Sequence, residues 1–195
     1  MIDIGPDQLH SVLGALGEQL ELTDSQFHLV VIGGSGLLAI GAVARTTQDV
    51  DVVALEEGGV LVSAEPLPDA LLAAAALVAR DFGLKPDWLN AGPTGLLEIG
   101  GLPEGLSDRA IRRDYGPALR VAFASRLDQV HLKLYAAADR FEPRDVADLR
   151  LLRPTADELR TAARWARPHN APGPFDDALA RTLRDFGVED DGRDA

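Results

Sequence analysis

The 195 residues include 46% hydrophobic side chains, carry a net charge of −12 and contain no cysteine. That length fits one core-forming domain, at most with a small helical appendage. The acidic balance argues against holding nucleic acid by bulk charge, which takes clustered Lys and Arg, while a local basic groove stays open. Without cysteine there is no disulfide frame and no thiolate metal site, and a reducing cytosol is the expected setting. The apolar stretch 30–44 is glycine-broken and too short to span a bilayer. The opening residues Met1 to Asp7 lack the basic region of a signal peptide, so the expectation is a cytoplasmic protein with no membrane partner.

Leu9, Val12, Leu13, Leu16 and Leu20 recur at helical spacing after Pro6 and predict an amphipathic helix. The β-branched run at 28–33 predicts a strand. A short buried helix over 34–43, a second strand over 50–55 and a turn over 56–59 follow. Residues 69–82 read as a strong Ala/Leu helix closed by Gly83. Past Pro86-Asp87-Trp88-Leu89-Asn90 and a Gly/Pro-rich loop, 104–114 reads as helical and 118–124 as a third strand. Two helices are expected over 126–139 and 143–152, stopped by Pro154. A capping box at Thr155–Glu158 opens another, to about residue 166. A Pro/Gly/Asn linker at 168–174 leads to a final short helix. The expected organisation is a core over 1–153, a helical extension over 154–188 and an acidic, disordered tail over 189–195. The fold class is α/β (α+β), a small mixed sheet with a helical C-terminal half.

Two patterns carry chemistry. The first is Gly33-Gly34-Ser35-Gly36 at the end of the first strand, followed by Arg45-Thr46-Thr47-Gln48-Asp49-Val50-Asp51 entering the second. Alternation places Asp49 and Asp51 on one face, about 7 Å apart along the strand. Such a pair is a hard-oxygen site of the kind that holds Mg²⁺ on a polyphosphate. The turn offers backbone N–H groups and a hydroxyl to phosphate oxygens, and a Cβ at Gly34 is expected to obstruct them. Gly34-Ser35-Gly36-Leu37-Leu38-Ala39 also fits the dinucleotide-binding pattern G-x-G-x-x-A. That pattern wants its acid at the far end of the second strand, where only Glu56 stands. The bland readings are a packing turn and a solvated strand edge.

The second pattern is Lys133, Arg140, Arg144, Asp145 and Asp148, with Lys133 beside an apolar stripe and Asp145 and Asp148 sharing one helix face. Read alone it is a charged surface interleaved with core. His10, His28, His131 and His169 show no ligand spacing and read as structural or surface residues.

Taken in order, the Gly-Gly-Ser turn, Arg-x-Thr-x-Asp-x-Asp and Lys-x₆-Arg-x₃-Arg-Asp-x₂-Asp resemble the AbiEii/MenT group within the polymerase-β nucleotidyltransferase superfamily. These are toxin halves of bacterial toxin–antitoxin pairs. Trp88-Leu89-Asn90 is similar to an element of the same families, and the resemblance spans about 28–153. It implies that Asp49 and Asp51 bind Mg²⁺ or Mn²⁺ and that Lys133 contacts the triphosphate. Asp148 would be the distal acid, with Asp145 the other candidate. Gly33, Gly34 and Ser35 would cradle phosphates, with Arg45 assisting. Thr47 resembles a position that an antitoxin can phosphorylate. The strand at 119–124 lacks the third metal-binding carboxylate that many such enzymes carry.

The expected activity is transfer of a nucleoside monophosphate from an NTP to an acceptor hydroxyl. The resemblance implies a tRNA 3′ end as acceptor, blocked translation as the consequence and a cognate antitoxin as partner. Arg109, Arg112, Arg113 and Arg120 form a candidate strip for the acceptor backbone. The alternatives are a protein or small-molecule acceptor, or a silent binding module on the same fold.

Overall fold

A computed structural model describes residues 2–140 and 142–190. The chain opens with helix α1 (Pro6–Glu21), strand β1 (Phe27–Ile32), helix α2 (Gly33–Ala39), strands β2 (Val50–Glu57) and β3 (Val60–Val62), and helix α3 (Asp69–Phe82). Strand β4 (Leu89–Asn90), short helices α4 (Gly95–Ile99) and α5 (Leu106–Arg109), and strands β5 (Ile111–Asp114) and β6 (Leu119–Phe123) follow. Helices α6 (Arg126–Arg140), α7 (Pro143–Leu151), α8 (Ala156–Ala166) and α9 (Pro174–Asp185) complete it.

The six strands form one mixed sheet in the order β3-β2-β1-β6-β5, with β4 also paired to β2. Strand β1 runs antiparallel to β2 and parallel to β6. The antiparallel β1–β2 pair excludes the dinucleotide-binding reading of the glycines, which needs parallel strands joined by a crossover helix. Alternation sorts the sheet between two cores. Leu29, Val31, Val52, Val121 and Phe123 pack in the larger cluster with α1 and α3, while Val30, Ile32, Ala122 and Ala124 pack with Leu106 and Leu132. Helices α7, α8 and α9 gather around α6.

The helix expected over 104–114 is confined to four residues. Ala110 turns extended, and Ile111-Arg112-Arg113-Asp114 pairs with β6 as an edge strand, all four residues exposed. With no face to bury, those residues gain nothing from helix. Gly116, at φ +77°, supplies the reversal that makes a hairpin instead. The turn at 56–59 is likewise a hairpin, with β2 running to Glu57 and Gly58 and Gly59 both at positive φ before β3. The capping box of α8 is present, and Arg126 ties its Glu158 to α6. Of the expected disordered tail, Glu189 and Asp190 are described, with Asp190 ion-paired to Arg167. Residues 191–195 lie outside the described residues.

Glycine 17 sets how closely α1 lies on the β5–β6 turn, since a Cβ there would collide with the carbonyl of Tyr115. Gly17→Ala should therefore lower stability by about 1–3 kcal/mol through overpacking. Gly14→Ala, on the same helix with nothing within 4 Å of the new Cβ, should raise it by about 0.5–1 kcal/mol. Denaturant midpoints of the two variants check this pair.

Candidate active site

The sheet builds the site from two strand ends. Pairing sets Asp51 opposite Ile32, the last residue before the glycine turn, and sets Asn90 beside Asp51 on the other side. Trp88 anchors β4: it is fully buried and its indole N–H donates to Ala75 O of α3 at 2.9 Å. Asn90 accepts from Gly92 N–H through Oδ1 at 2.9 Å, which turns its NH₂ toward Asp51 Oδ1 at 3.3 Å. Sequence reading noted Asn90 only as part of a tripeptide and missed this contact.

The glycines explain the close fit. At Gly33, φ is +68° and a Cβ would fall on the Asp51 carboxylate. At Gly34 it would lie 2.6 Å from Thr47 Oγ1, and at Gly36 it would strike the Gln129 amide. The obstruction expected at Gly34 is thus with Thr47, a neighbour within the protein. Helix α2 begins with no side-chain cap on its first N–H groups. Ser35 is buried and its hydroxyl turns back to Ile32 O at 3.4 Å. Thr47 is 2% exposed, donates to Asp49 Oδ1 at 3.2 Å, and is pinned through its backbone to Ile4.

A cleft of about 500 Å³ opens in front of this turn. Gly33, Asp51 and Asn90 line one side, and the α6 stripe Gln129, Lys133, Ala136 and Arg140 lines another. Pro93, Leu96, Ile99, Tyr135 and His169 make the apolar part of the wall. Arg140 was named in the second pattern without a role, and Tyr135 and His169 were not picked out as site residues from sequence. His169, read as structural or surface, is buried with Nε2 2.9 Å from Gly101 O, and it faces the cleft as well.

Behind the cleft lies a buried ion network. Lys133 Nζ reaches Asp145 Oδ1 at 2.7 Å and Asp148 Oδ2 at 2.9 Å. Arg45 grips Asp148 with two hydrogen bonds, 2.6 Å from Nη2 and 3.0 Å from Nε, and Arg140 lies 3.4 Å from Asp145. The fold therefore joins Arg45, Lys133, Asp145 and Asp148, and it places Lys133 in the wall that faces Asp51. The charged-surface reading of this group does not hold, because Lys133 is only 7% exposed. Asp148 feels burial, which would raise its pKa, but the bonds from Arg45 and Lys133 prevail and hold it below the usual carboxylate range. At Asp51 burial, then the charge of Asp49, push the carboxyl upward against the pull of Asn90, Lys133 and Arg140. A carboxylate made costlier to ionise by burial and by a neighbouring carboxylate suits a cation beside it. Among the described residues no group of three or more His, Cys, Asp or Glu is placed to hold a metal. The Asp49–Asp51 pair would thus need further oxygens from a ligand.

The four arginines expected to form a strip are each engaged. Arg109 pairs with Asp128, Arg112 with Glu56 and Ser107 O, and Arg120 with Asp114; Arg113 meets His10. Asp128 caps α6 through Ser125 and is no third metal carboxylate.

Lys133→Met should cost about 3 kcal/mol in denaturant unfolding at neutral pH, since it takes the shared, buried cation from two buried carboxylates and leaves Asp148 to Arg45 and Asp145 to Arg140; an unchanged midpoint would make the network energetically idle. Asp148 has a depressed native pKa, so its contribution is present above the unfolded value near 4 and is lost as pH falls through the native one. Asp148→Asn should accordingly be less stable than wild type at pH 7 and converge on it as the pH falls below about 4.

No curated protein matches the chain. A family model described as a nucleotidyltransferase of unknown function (DUF6036) matches residues 8–153. The match takes in the glycine turn, Asp49 just before β2 and Asp51 within it, Asn90 and the whole ion network. The cleft is lined by Gly33, Asp51, Asn90, Lys133 and Arg140 of that region, and with the match covering most of its length the chain belongs to this family of nucleotidyltransferases.

Proposed function

We propose that the chain transfers a nucleoside monophosphate from an NTP to an acceptor hydroxyl in a Mg²⁺- or Mn²⁺-dependent reaction. The observation that carries this is the meeting of Asp51, the Gly33 turn and Lys133 around one cleft. In this reading Asp49 and Asp51 hold the cation, which would neutralise phosphate charge and fix the triphosphate for in-line displacement. Gly33, Gly34 and Ser35 receive phosphate oxygens on backbone N–H groups. Lys133 exchanges part of its hold on Asp145 and Asp148 for the triphosphate, and Arg140 adds a second positive charge at the cleft mouth. Asp148, doubly ion-paired, positions Lys133 and Arg45 and is poorly suited to take the acceptor's proton.

The resemblance of the ordered motifs to the AbiEii/MenT toxins supports the finer reading: a toxin that modifies a tRNA 3′ end and is restrained by an antitoxin. Control by phosphorylation at Thr47 would require the Ile4–Thr47 backbone pair to open, because that hydroxyl is buried. The engaged arginines favour weighing a second reading, in which the acceptor hydroxyl belongs to a protein or a small molecule. Incubation with each labelled NTP, Mg²⁺ and total RNA separates them, since label enters RNA in the first case and another acceptor in the second. No transfer to any acceptor would leave a binding module.

The aspartates give the sharpest test. Asp51 has a raised pKa, so its stabilising effect is complete below the unfolded value near 4 and is lost as pH rises through the native one. Without ligand, Asp51→Asn should therefore unfold later than wild type at pH 7, a gap that closes toward pH 4. Asp49→Asn and Asp51→Asn should each abolish transfer and the thermal shift produced by Mg²⁺ with NTP. The double variant should be no worse than either alone. Retention of both signals by a single variant would reduce the pair to a solvated strand edge.

A further inference from the structure

Gln129 is fully buried on α6, one turn before Lys133, and faces the cleft on the same stripe. Neither its Nε2 nor its Oε1 has a hydrogen-bond partner in the protein. Burying an amide with both ends unmet costs about 1–3 kcal/mol for each group left unpaired. An apolar side chain of that shape would avoid the cost. The fold nevertheless makes room for the amide, because only a glycine at position 36 of α2 leaves space for Nε2.

The chemistry of the missing partner can be narrowed. A phosphate oxygen only accepts, so it would satisfy Nε2 and leave Oε1 bare. A metal ion would do the reverse. A hydroxyl both donates and accepts, and can engage Nε2 and Oε1 together. Base edges can do the same, but position favours the sugar. Gln129 touches the helix that follows the phosphate turn, and α6 rises about 6 Å between it and Lys133. In a nucleoside triphosphate the ribose lies nearer the phosphates than the base edge does. We infer that Gln129 reads a ribose hydroxyl of the bound nucleotide and makes the cleft selective for ribonucleotides carrying it. This rests on the nucleotide reading of the cleft.

The experiment measures affinities in the presence of Mg²⁺ by calorimetry, on the full chain and on Gln129→Met. The ligands are the four NTPs, the 2′-deoxy and 3′-deoxy forms of the tightest binder, and inorganic tripolyphosphate. Wild type should bind the parent NTP about 5- to 10-fold more tightly than one of the deoxy forms, the worth of one net hydrogen-bonded hydroxyl. In Gln129→Met that preference should vanish, tripolyphosphate affinity should stay the same, and the ligand-free variant should melt no lower than wild type. Persistence of the sugar preference in the variant, or a change confined to preference among bases, overturns the inference. A variant that melts markedly lower, or fails to fold, overturns it too, since the amide then has an internal partner such as a bound water. Wild type that binds tripolyphosphate and NTP without distinguishing sugars refutes the role of Gln129 alone. If wild type binds neither, the nucleotide reading falls, and the inference with it.

Discussion

What the site depends on is the absence of three Cβ atoms. Between β1 and the body of α2 the chain places glycine at 33, 34 and 36, and against each a polar side chain moves in: Asp51, Thr47 and Gln129. These come from a strand, the loop just before it and a helix distant in sequence. A methyl group at any of the three positions would push one of them away. Polar groups packed this closely on backbone are costly unless something satisfies them. Thr47 finds Asp49 and Asp51 finds Asn90, but Gln129 finds nothing within the protein. The turn is therefore less a bare phosphate cradle than a hub that brings donors and acceptors from three elements to one end of the cleft.

The two charge systems around this hub differ in kind. On one side burial and the neighbouring charge of Asp49 raise the cost of ionising Asp51 by more than Asn90, Lys133 and Arg140 lower it, so its environment favours an incoming cation. On the other, Lys133 bridges Asp145 and Asp148 and Arg45 pairs with Asp148, with Arg140 at the edge. That side is close to neutral and internally satisfied, which keeps the lysine's long chain in one rotamer. On the proposed reading, a polyphosphate entering between the two systems would meet the Lys133 ammonium on one wall and a carboxylate pair suited to a metal on the other. Preorganised charge of this sort is the main resource of phosphoryl-transfer enzymes, whose proteins contribute little covalent chemistry.

Much of this was legible in the sequence, for physical reasons that can be named. The long helices, the first two strands and the α8 capping box announced themselves because each has a strong period or a local signal. The glycine turn and the aspartates stood out because both residue types are disfavoured within strands. The residues 111–114 did not, since a fully exposed edge strand has no alternation to read and its evidence lies in Gly116 beyond it. Lys133 was visible as a cation but not as a buried one, because burial depended on Asp145 and Asp148 folding back from the next helix. Gln129 and Asn90 were silent for the same reason: a neutral amide carries no signal until its neighbours are known.

The boundary of the family match bears on how the cleft is completed. The match ends at 153, yet the wall includes His169, from the segment after α8. His169 lies against Gly100, and Trp165 donates its indole N–H to Gly101 O at 3.1 Å. Gly100 and Gly101 follow α4, whose Leu96 and Ile99 form the apolar side of the cleft. Tyr135, on α6, packs edge-on against both Trp165 and His169. The C-terminal helices therefore act on the site through one aromatic cluster that holds α4 at its distance from α6. That distance fixes the cleft's width where the charged groups end, beyond the glycine turn. The parts that meet charge belong to the matched region, and the part that sets the room left for the remainder of the ligand is shared with the extension.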